Sequence, residues 1–216
     1  MDVHILTPFY RKELAATLVH YWRPCGIKWY PLMAPSDSVE FPNEDWIFPI
    51  MVNELKRGDN CFVKVDEFRT TQPIIDDDYY GVTCDETIYE PGFFTTLREQ
   101  TAKVVMCSSY RGDTTPRDGS APHPTTPLII RGLNNIRYCA IGMGQWFVKG
   151  DVLRSVPYIE GQRKDDGHYA LELKRLYSNE IKFLPEWFSL ANYLQKGRHT
   201  KKERFLKSNW ELPEFK

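Results

Sequence analysis

The chain has 216 residues, 28 lysines and arginines against 29 aspartates and glutamates, and 42% hydrophobic residues. That size suits one domain able to bury roughly 70% of its unfolded surface, and the charge balance gives no warrant for a nucleic-acid partner. No apolar run reaches the roughly 20 residues of a membrane-spanning helix, and "MDVHILTPFYRKEL" lacks the regions of a signal peptide, so the expected location is cytoplasmic.

Five cysteines, Cys25, Cys61, Cys84, Cys107 and Cys139, form an odd, widely spaced set without a CxxC pair. Neither a disulfide framework nor a thiolate zinc site is indicated, and buried reduced thiols are expected. Aromatic residues are spread along the chain and mark no repeat.

In chain order, "VHILTPFY" predicts a first strand stopped at Pro8. "RKELAATLVHYW" places Leu14, Leu18 and Tyr21 or Trp22 at helical spacing, and "IKWYPLM" predicts a second strand. A strand, helix, strand unit at the start points to an open α/β sheet with parallel neighbours. "APSDSVEFPNED" predicts a loop and "WIFPIMV" a third strand containing Pro49, followed by a helix over "CFVKVDEFRTT" with Phe62, Val65 and Phe68 or Arg69 along one side.

"YYGVTC" predicts a strand with acidic residues on both sides: Asp76, Asp77 and Asp78 precede it, and Asp85 and Glu86 follow it. Ligands of open α/β sheets bind beyond the carboxyl ends of the strands, so the second cluster is on the favoured edge and the first is expected to be a solvated lead-in. "TIYEPG" then predicts a turn, "FFTTLREQTA" a helix and "KVVMCSS" a strand.

Residues 110–126, "YRGDTTPRDGSAPHPTT", are poor in apolar groups and predict a long loop, a candidate lid that would shield a reactive donor from water. "IRYCAIGMGQWFVKGDVL" predicts a strand with a bend at Gly142 to Gly144, "DDGHYALELKRLY" an amphipathic helix, and "EIKFLPEWFSLANYLQKGRH" a last strand and an aromatic segment. The basic and aromatic stretch 198–216 predicts a solvated extension, a lid over an anionic ligand or a surface contact, which leaves peripheral membrane contact open.

Three separated pieces, "ILTPFYR", "TCDETIYEPGFF" and "GMGQWFVKGDVL" followed by "DDGHYALELKRL", together resemble the GT-A glycosyltransferases that use nucleotide-diphosphate sugars, family 2 among them. The resemblance implies a single α/β domain over residues 1–197, an open, mostly parallel, twisted sheet flanked by helices. Its donor half would cover about residues 1–110 and its acceptor half about 127–197, with 198–216 as an extension. It implies a transferase that moves a sugar from a nucleotide-diphosphate sugar to a hydroxyl-bearing acceptor, inverting and metal-assisted.

The resemblance assigns the nucleotide to Thr7, Pro8, Phe9, Tyr10 and Arg11, with Phe9 or Tyr10 beside the base and Arg11 on a phosphate, joined by Asp37, Asn60 and Asp85. It assigns a divalent metal, manganese or magnesium, to Asp85, Glu86, Thr87 and His199, although Thr87 stands where a third carboxylate is common. Asp166, with Asp165 behind it, would be the base that deprotonates the acceptor; helix capping is the competing role of both. His4 and His20 read as structural. A non-catalytic nucleotide-sugar-binding scaffold and a nucleotidyltransferase are the alternatives, and the second is disfavoured because "TPFYRKEL" holds no glycine for a phosphate loop.

Overall fold

The computed structural model describes residues 1–54, 62–85, 87–90, 92–111, 129–137, 141–157 and 165–191. Among these, the strands β1 (Val3–Pro8), β2 (Lys28–Met33), β3 (Ile50–Met51), β4 (Tyr79–Val82), β5 (Ile88–Tyr89), β6 (Val104–Arg111), β7 (Trp146–Lys149) and β8 (Ile181–Ala191) form one sheet in the order β3-β2-β1-β4-β7-β6-β8-β5. Five α-helices accompany them: α1 (Ala15–Trp22), α2 (Phe62–Thr71), α3 (Phe93–Arg98), α4 (Gly150–Ser155) and α5 (Asp165–Tyr177).

The strands β1 to β4 are parallel, as are β6 and β8, while β7 runs antiparallel to both β4 and β6 and β5 runs antiparallel to β8. One reversed strand between two parallel groups restores the direction, so the carboxyl ends of β1, β2, β4, β6 and β8 share one edge. Both halves of the chain contribute to this one sheet.

Successive strand residues face opposite sides, and the two cores follow that alternation. Ile5, Trp29, Tyr79, Val105 and Phe147 pack on one face against Leu18 and Trp22 of α1 and Phe93, Phe94 and Leu97 of α3. Leu6, Leu32, Tyr80, Val104 and Trp146 pack on the other against Phe62, Val65 and Phe68 of α2, Val152 of α4 and Tyr169 and Leu173 of α5. Burying each such side chain contributes about 1.5–3 kcal/mol, so a sheet covered on both sides is the arrangement these strands favour.

The direction of α5 matters for the site. Tyr169 in its first half packs on Trp146 with ring centroids 4.6 Å apart, and Trp146 pairs with Met106 toward the carboxyl edge. At the other end Tyr177 Oη is 3.1 Å from Ser155 Oγ, where α4 closes after β7 has returned to the amino edge. The N-terminus of α5 therefore points to the same edge as the ends of β1, β2 and β4.

Several expectations change. The third strand shortens to Ile50–Met51, because Pro49 has no amide hydrogen for the ladder; Ile47 keeps only an isolated bridge to Trp29. The expected turn "TIYEPG" contains β5, whose Tyr89 amide donates to Tyr21 Oη of α1 at 2.7 Å. Tyr110 and Arg111 continue β6, so the expected loop is two residues shorter at its start; residues 112–126 of it, and the stretch 198–216, lie outside the described residues. No helix of the described residues is long and apolar enough to cross a membrane.

Candidate functional site

The chain leaves β1 at Pro8 and forms a loop whose side chains separate by environment. Thr7 is buried and its Oγ1 accepts from Trp29 Nε1 at 3.0 Å. Phe9 is buried too, edge-on to Trp29 and to Phe41 with centroids 6.2 and 5.5 Å apart. Both therefore face the α1-side core, and of the two aromatics expected beside a base only Tyr10 reaches solvent, at 37% exposure.

Asp85, three residues beyond β4, is fully buried and ties this loop down. Its Oδ2 accepts the backbone amides of Tyr10 and Arg11, each at 2.8 Å, and its Oδ1 accepts the Arg11 guanidinium. The Arg11 side chain keeps 36% of its surface in solvent. Thr87 is turned inward: its amide donates to the Cys84 carbonyl at 3.1 Å, and its hydroxyl lies 2.8 Å from Cys84 Sγ.

Lys64, in the first turn of α2, was not anticipated. Its side chain is 1% exposed, its Nζ lies 3.0 Å from Asp37 Oδ2 and 3.3 Å from the Phe9 carbonyl, and it sits 3.8 Å from the centre of the Tyr10 ring. A buried ammonium persists only when paired and hydrogen-bonded, and here one lysine joins the end of β1, the end of β2 and α2. The sequence did carry a signal: Lys64 lies four residues before Phe68, on the apolar stripe of its helix.

Asp166, in the first turn of α5, accepts the Gly167 amide at 2.8 Å. The contact engages one of the first amides of the helix from inside its first turn, and the carboxylate stands at the N-terminal end, where negative charge is favoured. Asp165 opens the same helix. Asn60, Glu86 and His199 lie outside the described residues.

Of the residues expected to hold a divalent cation, Asp85 and Thr87 are among the described ones, and both are engaged within the protein. Both carboxylate oxygens are already committed to hydrogen bonds, one partner is a cation, and the Thr87 hydroxyl is directed at a thiol. The group of metal-capable side chains that does come together is Asp2, His4 and Asp78, at the opposite edge of the sheet. There Asp78 is buried, not a solvated lead-in, because His4 Nε2 at 3.0 Å and the Asp2 amide at 2.7 Å satisfy its two oxygens. Asp2 is paired with Lys28 at 2.6 Å.

A cavity of about 430 Å³ opens between α1 and residues 39–42, walled by Lys12, Ala16, Val19, Val39 and Phe41. None of Tyr10, Asp37, Lys64 or Asp85 lines it, so it flanks the cluster on the α1 side. Burial pushes the thiols of Cys25 and Cys107 up to about 12, which keeps both protonated near neutral pH and removes them as nucleophiles.

No family model and no curated protein matches the sequence. Solved structures do match. Residues 1–349 of S. aureus TarS in complex with UDP-GlcNAc align over 92% of this chain with a TM-score of 0.55 and 10% identity. A second structure of the same TarS fragment aligns over 87% of this chain with a TM-score of 0.57 and 10% identity. The chain has the GT-A fold. It spans 60% of the length of the TarS structures it matches. An inositol-1-phosphate CTP transferase from T. maritima also aligns, over 88% of this chain and 89% of its own, at 9% identity and a TM-score of 0.48, too low to add to the assignment. At such identities the likeness concerns the fold, and the chemistry has to be argued from the side chains.

Proposed function

We propose that the chain is a glycosyltransferase that moves a sugar from a nucleoside diphosphate sugar to a hydroxyl-bearing acceptor, with inversion at the anomeric carbon. The observation that carries this reading is the convergence of Tyr10 and Arg11 after β1, Asp37 after β2, Lys64 from α2 and Asp85 after β4 at one sheet edge. An exposed aromatic ring, a carboxylate beside it and a guanidinium on the next residue match the three parts of a nucleoside diphosphate: a π-face, donors on its base edge, and a dianionic tail. UDP-GlcNAc is bound by TarS, which shares the fold, so uridine is the first base to test.

In the reaction the acceptor oxygen bonds to the anomeric carbon as the bond from that carbon to the diphosphate oxygen breaks, and the electron pair leaves with the nucleoside diphosphate. The acceptor proton passes to the Asp166 carboxylate, with Asp165 beside it in the chain. A general base contributes about 10²–10⁴-fold, so Asp166→Asn should lower turnover by that factor and leave donor affinity unchanged.

A second reading, a nucleotide-sugar-binding protein without turnover, is favoured by one specific observation: both oxygens of Asp85 and the hydroxyl of Thr87 are spent inside the protein. The experiment that separates the two incubates the purified chain with UDP-sugars and hydroxyl acceptors and follows nucleoside diphosphate release. Release that depends on acceptor and falls in Asp166→Asn supports the transferase. Saturable donor binding with no release from any acceptor supports the second reading.

A further inference from the structure

We infer that Lys64 decides which base the site accepts: acting through Asp37, it selects a base that carries a ring N–H on its pairing edge, uracil or guanine, over one whose ring nitrogen is an acceptor there, cytosine or adenine. The inference rests on the proposed function and names the donor base of the same site.

Lys64 does not meet the base itself. The hydrogens of its ammonium are directed at Asp37 Oδ2 at 3.0 Å, the Phe9 carbonyl at 3.3 Å and the ring of Tyr10, whose centre is 3.8 Å away. The lysine is enclosed, so it acts through what it holds. The backbone that carries Asp37 is fixed independently. Residues Pro35–Asp37 form a 3₁₀ turn, the Asp37 amide donates to the Ala34 carbonyl at 2.9 Å, and Glu54 accepts the Ser36 amide at 2.7 Å and the Ser36 hydroxyl at 2.9 Å. What remains to be set is the direction of the Asp37 carboxylate, and Lys64 sets it by engaging Oδ2.

Oδ1 of Asp37 has no partner among the described residues, and the side chain is partly exposed beside Tyr10. A carboxylate oxygen only accepts hydrogen bonds. Uracil N3 and guanine N1 each carry a hydrogen and donate to it. Cytosine N3 and adenine N1 carry a lone pair instead, so two acceptors would face each other. The amino groups of cytosine and adenine reach the carboxylate only if the base shifts. A held carboxylate makes that difference count, because it needs no reorientation when the base arrives, and the ammonium on Oδ2 stays beside the charge as the base excludes water. Released from Lys64, the carboxylate would turn to water and meet either kind of base alike.

The test is calorimetric titration of the full chain with UDP, CDP, GDP and ADP, each with magnesium present. Within the pair of ring size that binds, the base with the ring N–H should be favoured about tenfold to a hundredfold, UDP over CDP or GDP over ADP. Asp37→Asn, whose amide can donate as well as accept, should remove most of that preference. Lys64→Met should bring the ratio toward parity in the wild-type background and leave it unchanged where Asp37 is already replaced by asparagine, since a lysine acting through Asp37 then has nothing to set. A lysine that only supports the fold would weaken both members of a pair by one factor and keep the ratio. Thermal unfolding establishes that each variant is folded, and Lys64→Gln, which still offers a donor to the Phe9 carbonyl, replaces Lys64→Met if that variant unfolds. Equal affinity within the pair, a preference for cytosine or adenine, or a preference that survives the loss of Lys64 overturns this inference while leaving the proposed function in place. Absence of binding by all four nucleotides overturns the proposed function, and the inference with it.

Discussion

Lys64 Nζ lies 3.0 Å from Asp37 Oδ2, and through this contact a residue of α2 fixes the carboxylate that follows β2. The lysine is almost completely enclosed while the aspartate side chain is 24% exposed, so the pair has a protein side and a solvent side. Substituting Lys64→Met would leave the Phe9 carbonyl without its donor and release Asp37. The expected loss of stability is about 1–3 kcal/mol by urea unfolding, together with weaker nucleotide binding. Unchanged stability would mean that the lysine is tied less tightly than its burial implies.

Phe9 and Tyr10 are adjacent aromatics with opposite surroundings, and their alanine variants should separate accordingly. Phe9→Ala opens a cavity beside Trp29 and Phe41 and should cost about 3–5 kcal/mol. Tyr10→Ala should cost less, about 0.5–2 kcal/mol for the ring lost from the buried Lys64 ammonium, yet lose the stacking that a base obtains from an aromatic ring, about 1–3 kcal/mol of binding. Unfolding curves and nucleotide titrations on the same two proteins check both halves; a Tyr10 variant that binds as wild type would remove Tyr10 from the site.

His4 predicts a pH dependence with a definite sign. It faces Asp78 through Nε2, Tyr30 through Nδ1 at 3.2 Å and Tyr80 across a stacked ring, with Lys28 and Asp2 nearby. Burial, the largest influence, holds its pKa below the ordinary 6.5 despite the pull of Asp78. At neutral pH the ring is therefore uncharged, donating from Nε2 to Asp78 and accepting at Nδ1 from the Tyr30 hydroxyl. On acidification through 6.5 the unfolded chain binds a proton before the folded one does, so stability is complete above 6.5 and declines below it until the folded histidine also titrates. Urea midpoints between pH 8 and pH 5.5 should fall for the wild type relative to His4→Gln. A wild-type midpoint that rises over that range, relative to the variant, would contradict the assignment.

Elements with a clean period were legible in the sequence, and those set by tertiary neighbours were not. The first strand, α1 and the second strand follow from apolar spacing, and α2 appeared where Phe62, Val65 and Phe68 placed it. Two-residue β5 could not be read from Ile88 and Tyr89, because its pairing with β8 and its anchoring by Tyr21 come from distant parts of the chain. The placing of Asp85 at the carboxyl edge, and of the more conspicuous triplet at the amino edge, followed from strand order alone. The partners of Asp85 did not follow. A carboxylate at a strand end reads the same whether it awaits a ligand or accepts two loop amides, and only the folded loop distinguishes the cases. The burial of Asp78 was hidden for the same reason, since His4, its partner, is distant in the chain.

The most direct measurement of the central claim is amide hydrogen exchange of the full chain with and without saturating nucleoside diphosphate, read by mass spectrometry. Exchange protection reports local opening, which a ligand suppresses where it binds. The account predicts added protection in residues 8–12, 34–38 and 62–66, the three segments that carry Tyr10 and Arg11, Asp37, and Lys64. Protection confined to α1 and residues 39–42, around the flanking cavity, or none in those three segments, would contradict it.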